Sequence, residues 1–366
     1  MQKEKAERGR LLLEPESVII LRKNGESSPC EDFVIKKVEG CGGSAICYCA
    51  SHEGKLGKLK EFYPADIDDR KELSFYAFKR SEGNQLIPVG HYTSEIFEQL
   101  KTNFINTHRI LEEAKNEHAV LNNYTHSFEM FYGYEDGKSA SVYIWTPDDY
   151  SGERYDNFIE KNYVYLEQDP LKCLKGIIQS IKALSEGICA LHSSGFHHLD
   201  INVKNFMLKY KGNGEVDTNA IYLFDLNSLN LMDCETPLFA GTTGYVAPEM
   251  YYGTVSIRAD IYSIGATLYS ALMYSAERQM PLYNDELFSE LHDMVSFSDV
   301  ISFAEKSSKD KEIIQDIKDY ISEILRLCLA KNRNHRYKCC DDLVKQLDEV
   351  VVLIDAASVL NRRSRH

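Results

Sequence analysis

The chain has 366 residues and a formal charge of −14 at neutral pH, from 42 Lys and Arg against 56 Asp and Glu. This acidic excess disfavours binding to nucleic acid or to anionic lipid, because both need a basic face. Apolar residues make up 43% and charged residues 27% of the sequence, a composition that excludes a disordered chain and allows a large core.

Neither a membrane span nor a secretory signal is predicted. The apolar runs, such as residues 350–354, fall far short of the roughly 20 residues that a spanning helix needs. The first 30 residues lack an apolar core followed by a small-residue cleavage site. The ten cysteines contain no C-x-x-C pair, which favours reduced thiols. We therefore expect a cytoplasmic protein.

The first half of the chain has mainly strand-like patterns. Residues 1–31 are mostly polar with a turn signal at 26–29, so we expect them to pack on the outside or to be mobile. A helix-rich stretch covers about 94–121. The strand-like runs are 33–35, 45–49, 59–62, 128–131 and 141–144.

The second half has mainly helical patterns. From Leu171 to Leu191 apolar residues recur every three or four positions, which predicts a half-buried helix that ends at Gly195. Residues 261–273 are apolar nearly all round, as in a central core helix. A short strand at 221–224 and helices at 324–329 and 343–354 are also predicted. A strand-rich front joined to a helix-rich back near residues 145–149 indicates a two-lobed α+β fold.

The sharpest chemical signal follows the long helix of the second half. Residues 197–205 read His-His-Leu-Asp-Ile-Asn-Val-Lys-Asn, which contains H-x-D-x-x-x-x-N from His198. This pattern resembles the catalytic loop of protein kinases. The resemblance implies that Asp200 orients the attacking hydroxyl and accepts its proton, and that Asn205 binds a metal ion. Small-molecule phosphotransferases share this loop, so the pattern alone leaves both classes open.

A second motif lies at the end of the predicted strand 221–224. Leu223-Phe224-Asp225-Leu226-Asn227 falls where kinases have D-F-G. A carboxylate that follows an apolar strand needs a positive partner, and the resemblance implies that Asp225 binds Mg²⁺. Asn227 replaces the glycine, and asparagine is the next-best residue for a left-handed backbone.

Three later segments resemble protein kinases rather than small-molecule kinases. Residues 241–249 are similar to G-T-x-x-Y-x-A-P-E, and residues 260–265 to the D-x-W-S-x-G start of the central kinase helix. The resemblance implies that Arg336 pairs with Glu249. It also implies that Thr242 bridges catalytic groups as in serine/threonine kinases, which favours Ser/Thr as acceptors.

The glycines between the first two predicted strands resemble the glycine-rich loop that covers the ATP phosphates in kinases. Gly40, Gly42 and Gly43 follow G-x-G-x-x-G-x-V, with Ala45 for the third glycine and Cys47 for the valine. The resemblance implies that the backbone of this loop holds the ATP phosphates, and the small Ala45 still permits a close approach.

Lys60 matches the lysine of the kinase motif V-A-I-K, which binds the α- and β-phosphates. Lys58 is the alternative, because strand alternation puts both lysines on one face. The implied partner on the following helix is Glu113, with Glu112 and Glu117 as alternatives.

Two departures from the kinase pattern affect regulation and charge. Leu199 replaces the arginine of H-R-D, so we do not expect phosphorylation of Ser228, Thr236 or Thr243 to be the switch. Asn202 replaces the lysine that contacts the γ-phosphate in most serine/threonine kinases. Lys204 stands where tyrosine kinases have an arginine for that task, and it is the expected replacement.

The resemblance extends from Phe33 to Ile354 and is greatest to divergent bacterial-type serine/threonine kinases. It implies a bilobal α+β fold with a small β-rich N-lobe that carries one main helix, and a larger helical C-lobe. The expected segments are an N-terminal extension (1–31), the N-lobe (32–147), the C-lobe (148–355) and a basic tail (356–366).

The implied activity is Mg²⁺-dependent transfer of the ATP γ-phosphoryl group to Ser or Thr of a protein substrate. One alternative is a pseudokinase scaffold, which the substitutions Ala45, Leu199, Asn202 and Asn227 would favour. The retained Lys60, Asp200, Asn205 and Asp225 favour an active enzyme. The other alternative is a small-molecule kinase, which the A-P-E segment disfavours.

Overall fold

The computed structural model describes residues 11–23, 27–41, 45–64, 78–88, 94–135, 138–147, 152–224, 226, 229–231, 241–274, 298–308 and 310–363. The chain divides into two compact units. The first contains residues 1–113 and 126–151, and the second contains 114–125 and 152–366. The break at residue 151 lies close to the predicted junction at 147.

Six antiparallel strands of the first unit form a closed barrel. They are β1 (Val18–Arg22), β2 (Cys30–Cys41), β3 (Ala45–His52), β4 (Lys55–Phe62), β7 (Glu129–Glu135) and β8 (Lys138–Pro147). Their order is β1-β2-β3-β4-β8-β7, and β1 closes the barrel by pairing with β7 at Arg22 and Tyr132. A separate hairpin is formed by β5 (Phe78–Arg80) and β6 (Leu86–Pro88).

Every second side chain along the strands points into the barrel and fills its interior. In β3 the side chains of Tyr48 and His52 are buried, while Cys47 and Cys49, on either side of Tyr48, are only half-buried. The ring of His52 stacks on Phe33 with centroids 4.1 Å apart. The predicted strands at 33–35, 45–49, 59–62, 128–131 and 141–144 are therefore confirmed, with longer bounds, except that the strand predicted from residue 128 begins at Glu129.

The expectation that residues 1–31 form an outer or mobile extension is wrong for the described part. Ile19 and Leu21 are fully buried, and β1 pairs with β2 along five residues. The run Val18–Leu21 supplies alternate side chains to the barrel, as a half-buried strand does. The predicted boundary at residue 32 falls inside β2.

A buried ion pair joins the β5–β6 hairpin to the barrel. The Arg80 guanidinium donates to both carboxylate oxygens of Glu61, over 2.8 and 2.7 Å, and Glu61 is fully buried. The hydroxyls of Tyr143 and Tyr48 also donate to Glu61, over 2.9 and 3.0 Å. Arg80 Nε donates to the Leu11 carbonyl over 2.7 Å. The Arg80 guanidinium thus links the hairpin both to β4 and to the N-terminal segment.

Helix α1 (Ser94–Glu117) confirms the predicted helix of the first half. Its buried side chains follow a spacing of three or four residues. Phe62 of β4 contacts the rings of Phe97 and Phe104, at centroid distances of 5.4 and 5.3 Å. The buried positions of the helix are Phe97, Lys101, Phe104, His108, Leu111, Ala114 and Lys115.

The second unit is mainly helical. Its helices are α2 (Tyr155–Tyr163), α3 (Pro170–Ser193), α4 (Ile257–Leu272), α5 (Asp299–Ser307), α6 (Lys311–Cys328) and α7 (Cys340–Arg363). Its strands are β9 (Gly152–Arg154), β10 (Phe196–His197), β11 (Phe206–Tyr210), β12 (Val216–Leu223) and β13 (Asn230–Leu231). Strands β12, β11 and β9 form one sheet, and β10 pairs with β13.

Helices α3 and α4 form the core of this unit, as the sequence predicted. Asp169 caps α3 by accepting a hydrogen bond from Lys172 N–H over 3.1 Å, and Gly195 follows the helix with φ +86°. Helix α4 is buried almost all round. At Gly265 a β-carbon would lie 2.4 Å from Cys328 Cβ, so only glycine allows α6 to pack this closely.

Residues 356–363 are part of a helix and do not form the separate basic tail that was predicted for 356–366. Helix α7 continues to Arg363, because Ala357 extends the buried face that contains Val350 and Ile354. Among the helices that the structure describes, none combines the length and the hydropathy that crossing a membrane would require.

Candidate active site

The loop between β10 and β11 is anchored on helix α4. Asp260, in the first turn of α4, accepts hydrogen bonds from the backbone N–H groups of His198 (2.9 Å) and Leu199 (2.8 Å). Leu199 has φ +64°, an uncommon conformation for a residue with a β-carbon, and its side chain is buried. The buried carboxylate therefore holds a strained turn directly before Asp200.

The charge of Asp260 is stabilised where it lies. Burial alone would raise its pKa, but His192, whose Nε2 lies 2.9 Å from Oδ2, and the backbone N–H of His198 outweigh burial and lower the pKa. Burial lowers the pKa of His197, on β10, and the neighbouring Asp260 opposes that shift. This part of the site thus contains the charged carboxylate of Asp260 and the neutral imidazole of His197.

Asp200 is held through both carboxylate oxygens. The Thr242 hydroxyl donates to Oδ1 over 2.7 Å, and Asn205 Nδ2 donates to Oδ2 over 2.9 Å. Asn205 Nδ2 also lies 2.8 Å from the Asp200 carbonyl. Two predicted residues of one loop and a third from a segment 42 residues further along the chain are therefore brought together, and the carboxylate has a fixed orientation.

Asn202 joins the same network, although the sequence indicated only a lost lysine. Its Nδ2 lies 3.0 Å from Thr242 Oγ1 and 3.2 Å from Asp200 Oδ1. Its Oδ1 accepts a hydrogen bond from Lys204 N–H over 2.9 Å. Asn202 is buried, whereas the Lys204 side chain is exposed. The signal that could have identified Asn202 is the hydrogen-bonding capacity of an asparagine two residues after the aspartate.

The segment that carries Thr242 runs close to the loop. Gly241 has φ +140°, and a β-carbon there would lie 2.4 Å from Val246 Cγ2 and 3.2 Å from the Leu199 carbonyl oxygen. A larger residue would therefore push residue 242 away from Asp200.

The predicted pair between Glu249 and Arg336 is confirmed. The guanidinium binds the carboxylate through two parallel hydrogen bonds of 2.7 and 2.8 Å. Arg336 also donates to the carbonyls of Ala330 and Arg258, and it lies 4.9 Å from the ring centroid of Tyr262. The pair fixes the end of the 241–249 segment against the base of α4.

The predicted phosphate-binding residues of the first unit are only partly described. Gly40 is exposed at the end of β2, and Ala45 is buried at the start of β3. Gly42 and Gly43 lie outside the described residues. Lys60 is half-buried on β4 and stands opposite Cys47 in the strand register.

The alternative Lys58 already has an ionic partner. Its Nζ lies 3.9 Å from a carboxylate oxygen of Glu39. Lys60 and Lys58 both stay predictions for the lysine that binds nucleotide.

The proposed partner of Lys60 is not supported by its position. The Glu113 side chain is 67% exposed and lies 4.0 Å from Arg109, one turn earlier on the helix. At 100° per residue, Glu113 is about 200° from the buried Leu111, and so it faces away from the side of α1 that packs on the barrel. The alternatives Glu112 and Glu117 stay predictions.

The residues near Asp200 suit a magnesium ion. Asn205 donates to Asp200 through Nδ2. The Oδ1 of Asn205 accepts no hydrogen bond from the described residues and is an oxygen ligand of the type that Mg²⁺ prefers. The Phe224 N–H donates to the Asn205 carbonyl over 3.1 Å. Asp225, the predicted second ligand, follows Phe224 and lies outside the described residues.

The fixed aspartate, the amide beside it and the Glu249–Arg336 pair that secures the 241–249 segment form the arrangement that the kinase resemblance implied. The protein kinase domain model matches residues 95–347, more than half of the sequence, and the chain belongs to the protein kinase family. The predicted α+β kinase fold is thereby confirmed.

Curated relatives share only part of their length with this chain. Human myosin light chain kinase family member 4 is 25% identical over 237 residues, which cover 63% of this chain and 54% of that protein. A probable serine/threonine-protein kinase of Clostridium perfringens is 25% identical over 207 residues, covering 52% of this chain and 27% of that protein. The chain therefore spans about half or less of these relatives.

A solved structure supports the fold. The kinase domain of a rhoptry antigen of Toxoplasma gondii matches with a TM-score of 0.58 and 12% identity, covering 98% of this chain and 92% of that chain. At this identity the likeness concerns the fold alone.

Proposed function

We propose that this protein is a serine/threonine protein kinase that transfers the γ-phosphoryl group of ATP to a hydroxyl of a protein substrate. The observation that carries the proposal is the fixed carboxylate of Asp200, held by Thr242 on one oxygen and by Asn205 on the other. Kinase catalysis depends mainly on positioning and on charge stabilisation, and this carboxylate supplies the positioning of the acceptor.

In this mechanism the acceptor hydroxyl donates a hydrogen bond to Asp200. As the new oxygen–phosphorus bond forms and the bond to ADP breaks, the proton of the hydroxyl passes to the carboxylate. Asn205 and Asp225 would hold Mg²⁺, which neutralises charge on the phosphate oxygens when bound. Lys60 and the loop from Gly40 to Ala45 would hold the phosphates.

The cation for the transferred group is assigned to Lys204. Asn202 carries no charge and its amide is engaged at both ends, so it offers nothing to a phosphate. Lys204 has an exposed side chain two residues further along the same loop. An ammonium there would stabilise the negative charge that spreads over the transferred group.

Preference for Ser or Thr acceptors rests on Thr242, which contacts Asp200 as the motif implies. Activation by phosphorylation is not expected, because the Leu199 side chain is buried and cannot pair with a phosphate. The enzyme would then be constitutively active, or its activity would be controlled by another segment of the chain or by a partner.

The test is transfer of label from γ-labelled ATP to casein and to the protein itself, with Mg²⁺. We expect wild-type protein to label Ser and Thr residues, and Asp200→Asn to lose about 10²- to 10⁴-fold in rate, the range for loss of an acid–base group. Asp319→Asn, on the exposed face of α6, is the matched control and should keep wild-type activity.

A pseudokinase is the second candidate, because Asn202 leaves the loop without the usual cation. That candidate predicts ATP-dependent thermal stabilisation and no difference in transfer between wild-type protein and Asp200→Asn. Labelling confined to tyrosine would instead contradict the assignment of Ser/Thr specificity.

A further inference from the structure

We propose that Asn202 is a positioning residue of the catalytic loop, an inference that rests on the proposed function. In the sequence Asn202 reads as the loss of a lysine. In the structure its side chain contacts Asp200, Thr242 and the backbone of Lys204. Lys204 is the residue whose side chain is expected to supply the charge.

The amide nitrogen of Asn202 donates towards Asp200 and Thr242. Its two Nδ2 hydrogens face three acceptors: Thr242 Oγ1 at 3.0 Å, and Oδ1 and the carbonyl of Asp200, both at 3.2 Å. Asn202 is only 3% exposed, so water competes little for these hydrogens. The amide thus fixes one oxygen of Asp200 together with the hydroxyl that binds it.

The hydroxyl of Thr242 depends on this contact. It has one hydrogen, which it donates to Asp200 over 2.7 Å, and its oxygen accepts from Asn202. Because Asn202 offers only hydrogens on this side, the threonine hydrogen is directed to the carboxylate. The three side chains form a closed network in which Asn202 determines the direction of the Thr242 hydrogen bond.

The acceptor end of Asn202 orients the next part of the loop. Oδ1 accepts the hydrogen bond of Lys204 N–H over 2.9 Å, so the backbone of Lys204 is fixed relative to Asp200. The usual lysine combines positioning and charge in one side chain. Here Asn202 would supply the positioning and Lys204 the charge.

Two substitutions separate this role from general stability. Asn202→Ala removes every side-chain hydrogen bond and should lower kcat about 100-fold, with KM for ATP within twofold of wild type, because misplacement of a reacting group has a cost of that size. Asn202→Asp keeps the acceptor for Lys204 N–H but places a second negative charge beside Asp200. A like charge raises the pKa of a carboxyl, so the acidic limb of the kcat–pH profile should move to higher pH.

Asn213→Asp is the matched control, because it introduces the same charge change in an exposed turn. Its kcat and pH profile should equal those of wild type, and melting temperatures establish that each variant is folded. If Asn202→Ala does not fold, the isosteric Asn202→Asp still gives the pH profile.

Wild-type kcat and an unmoved acidic limb in the Asn202 variants would overturn the inference while leaving the proposed function intact. Failure of the proposed function has another pattern, in which wild-type protein and Asp200→Asn are equally inactive. That pattern would overturn the inference as well.

Discussion

Thr242 donates a hydrogen bond to Asp200 over 2.7 Å, and its oxygen accepts one from Asn202 over 3.0 Å. A hydrogen bond to a charged group contributes about 1.5–3 kcal/mol, more than one between neutral groups. One of the side chains that orient the carboxylate therefore comes from a segment about 40 residues further along the chain.

Removal of that hydroxyl gives a direct prediction. Thr242→Val should lower kcat by about 10- to 100-fold, the equivalent of one hydrogen bond to a charged group. Thr242→Ser, which keeps the hydroxyl, should retain most of the activity. Steady-state kinetics at saturating ATP measure both, and equal rates for Val and Ser variants would contradict the role of the hydroxyl.

His197 gives a prediction about pH. Burial lowers its pKa, Asp260 opposes that shift, and His192 adds to it. Below about pH 6.5 the unfolded chain takes up a proton that the folded protein resists, so the free energy of unfolding should fall as the pH drops through this value.

The measurement is the melting temperature between pH 7.5 and pH 5.5. Wild-type protein should lose more stability over this range than His197→Gln, since the variant lacks the titrating group. The exposed His335→Gln should follow wild type. Parallel curves for wild type and His197→Gln would show that His197 does not control this dependence.

At the scale of elements, strand β1 is part of the barrel and not an outer extension. Ile19 is fully buried and Ile20 is 54% exposed, on adjacent positions of the same strand. Loss of a buried isoleucine side chain to alanine costs about 2–5 kcal/mol, whereas exposed substitutions usually stay within about 0.5 kcal/mol.

The two positions form a matched pair for experiment. Ile19→Ala should lower the free energy of unfolding in urea by about 2–5 kcal/mol, and Ile20→Ala should change it little. If both variants unfold at the wild-type urea concentration, β1 does not contribute to the stability of the first unit.

Elements differ in how far sequence predicts them. Helix α3 was recognisable because its apolar residues repeat over six turns, and the Glu249–Arg336 pair because both positions belong to kinase motifs. Strand β1 was missed because Val18–Leu21 is apolar at every position, which hides the alternation that burial reveals. The Arg80–Glu61 pair joins a hairpin to a neighbouring strand, and no short-range pattern indicates such a contact.

The same limit applies to the site. Asp200, Asn205 and Thr242 were predicted because the family motifs specify them, and the structure brings them together. The position of Glu113 was not predictable, because one glutamate on a helix resembles another until the buried face is known. Asn202 was read only as a missing charge, since a sequence does not show which acceptors an amide can reach.

At the scale of the whole molecule, two departures from the kinase pattern have different consequences. Leu199 is buried in a strained turn held by Asp260, so the loop is anchored without a phosphate. Asn202 keeps the geometry of the loop but not its charge. Phosphoryl transfer by this chain therefore depends on whether another residue supplies the cation.

The most direct test is the single-turnover rate of phosphoryl transfer from Mg·ATP by wild-type protein, Lys204→Ala and Lys211→Ala. Loss of one stabilising cation should slow Lys204→Ala by about 10²- to 10³-fold, the range for removal of one electrostatic contact to the transition state. Lys211→Ala, an exposed lysine in the turn after β11, should match wild type. Wild-type transfer by Lys204→Ala would show that Lys204 does not supply this cation.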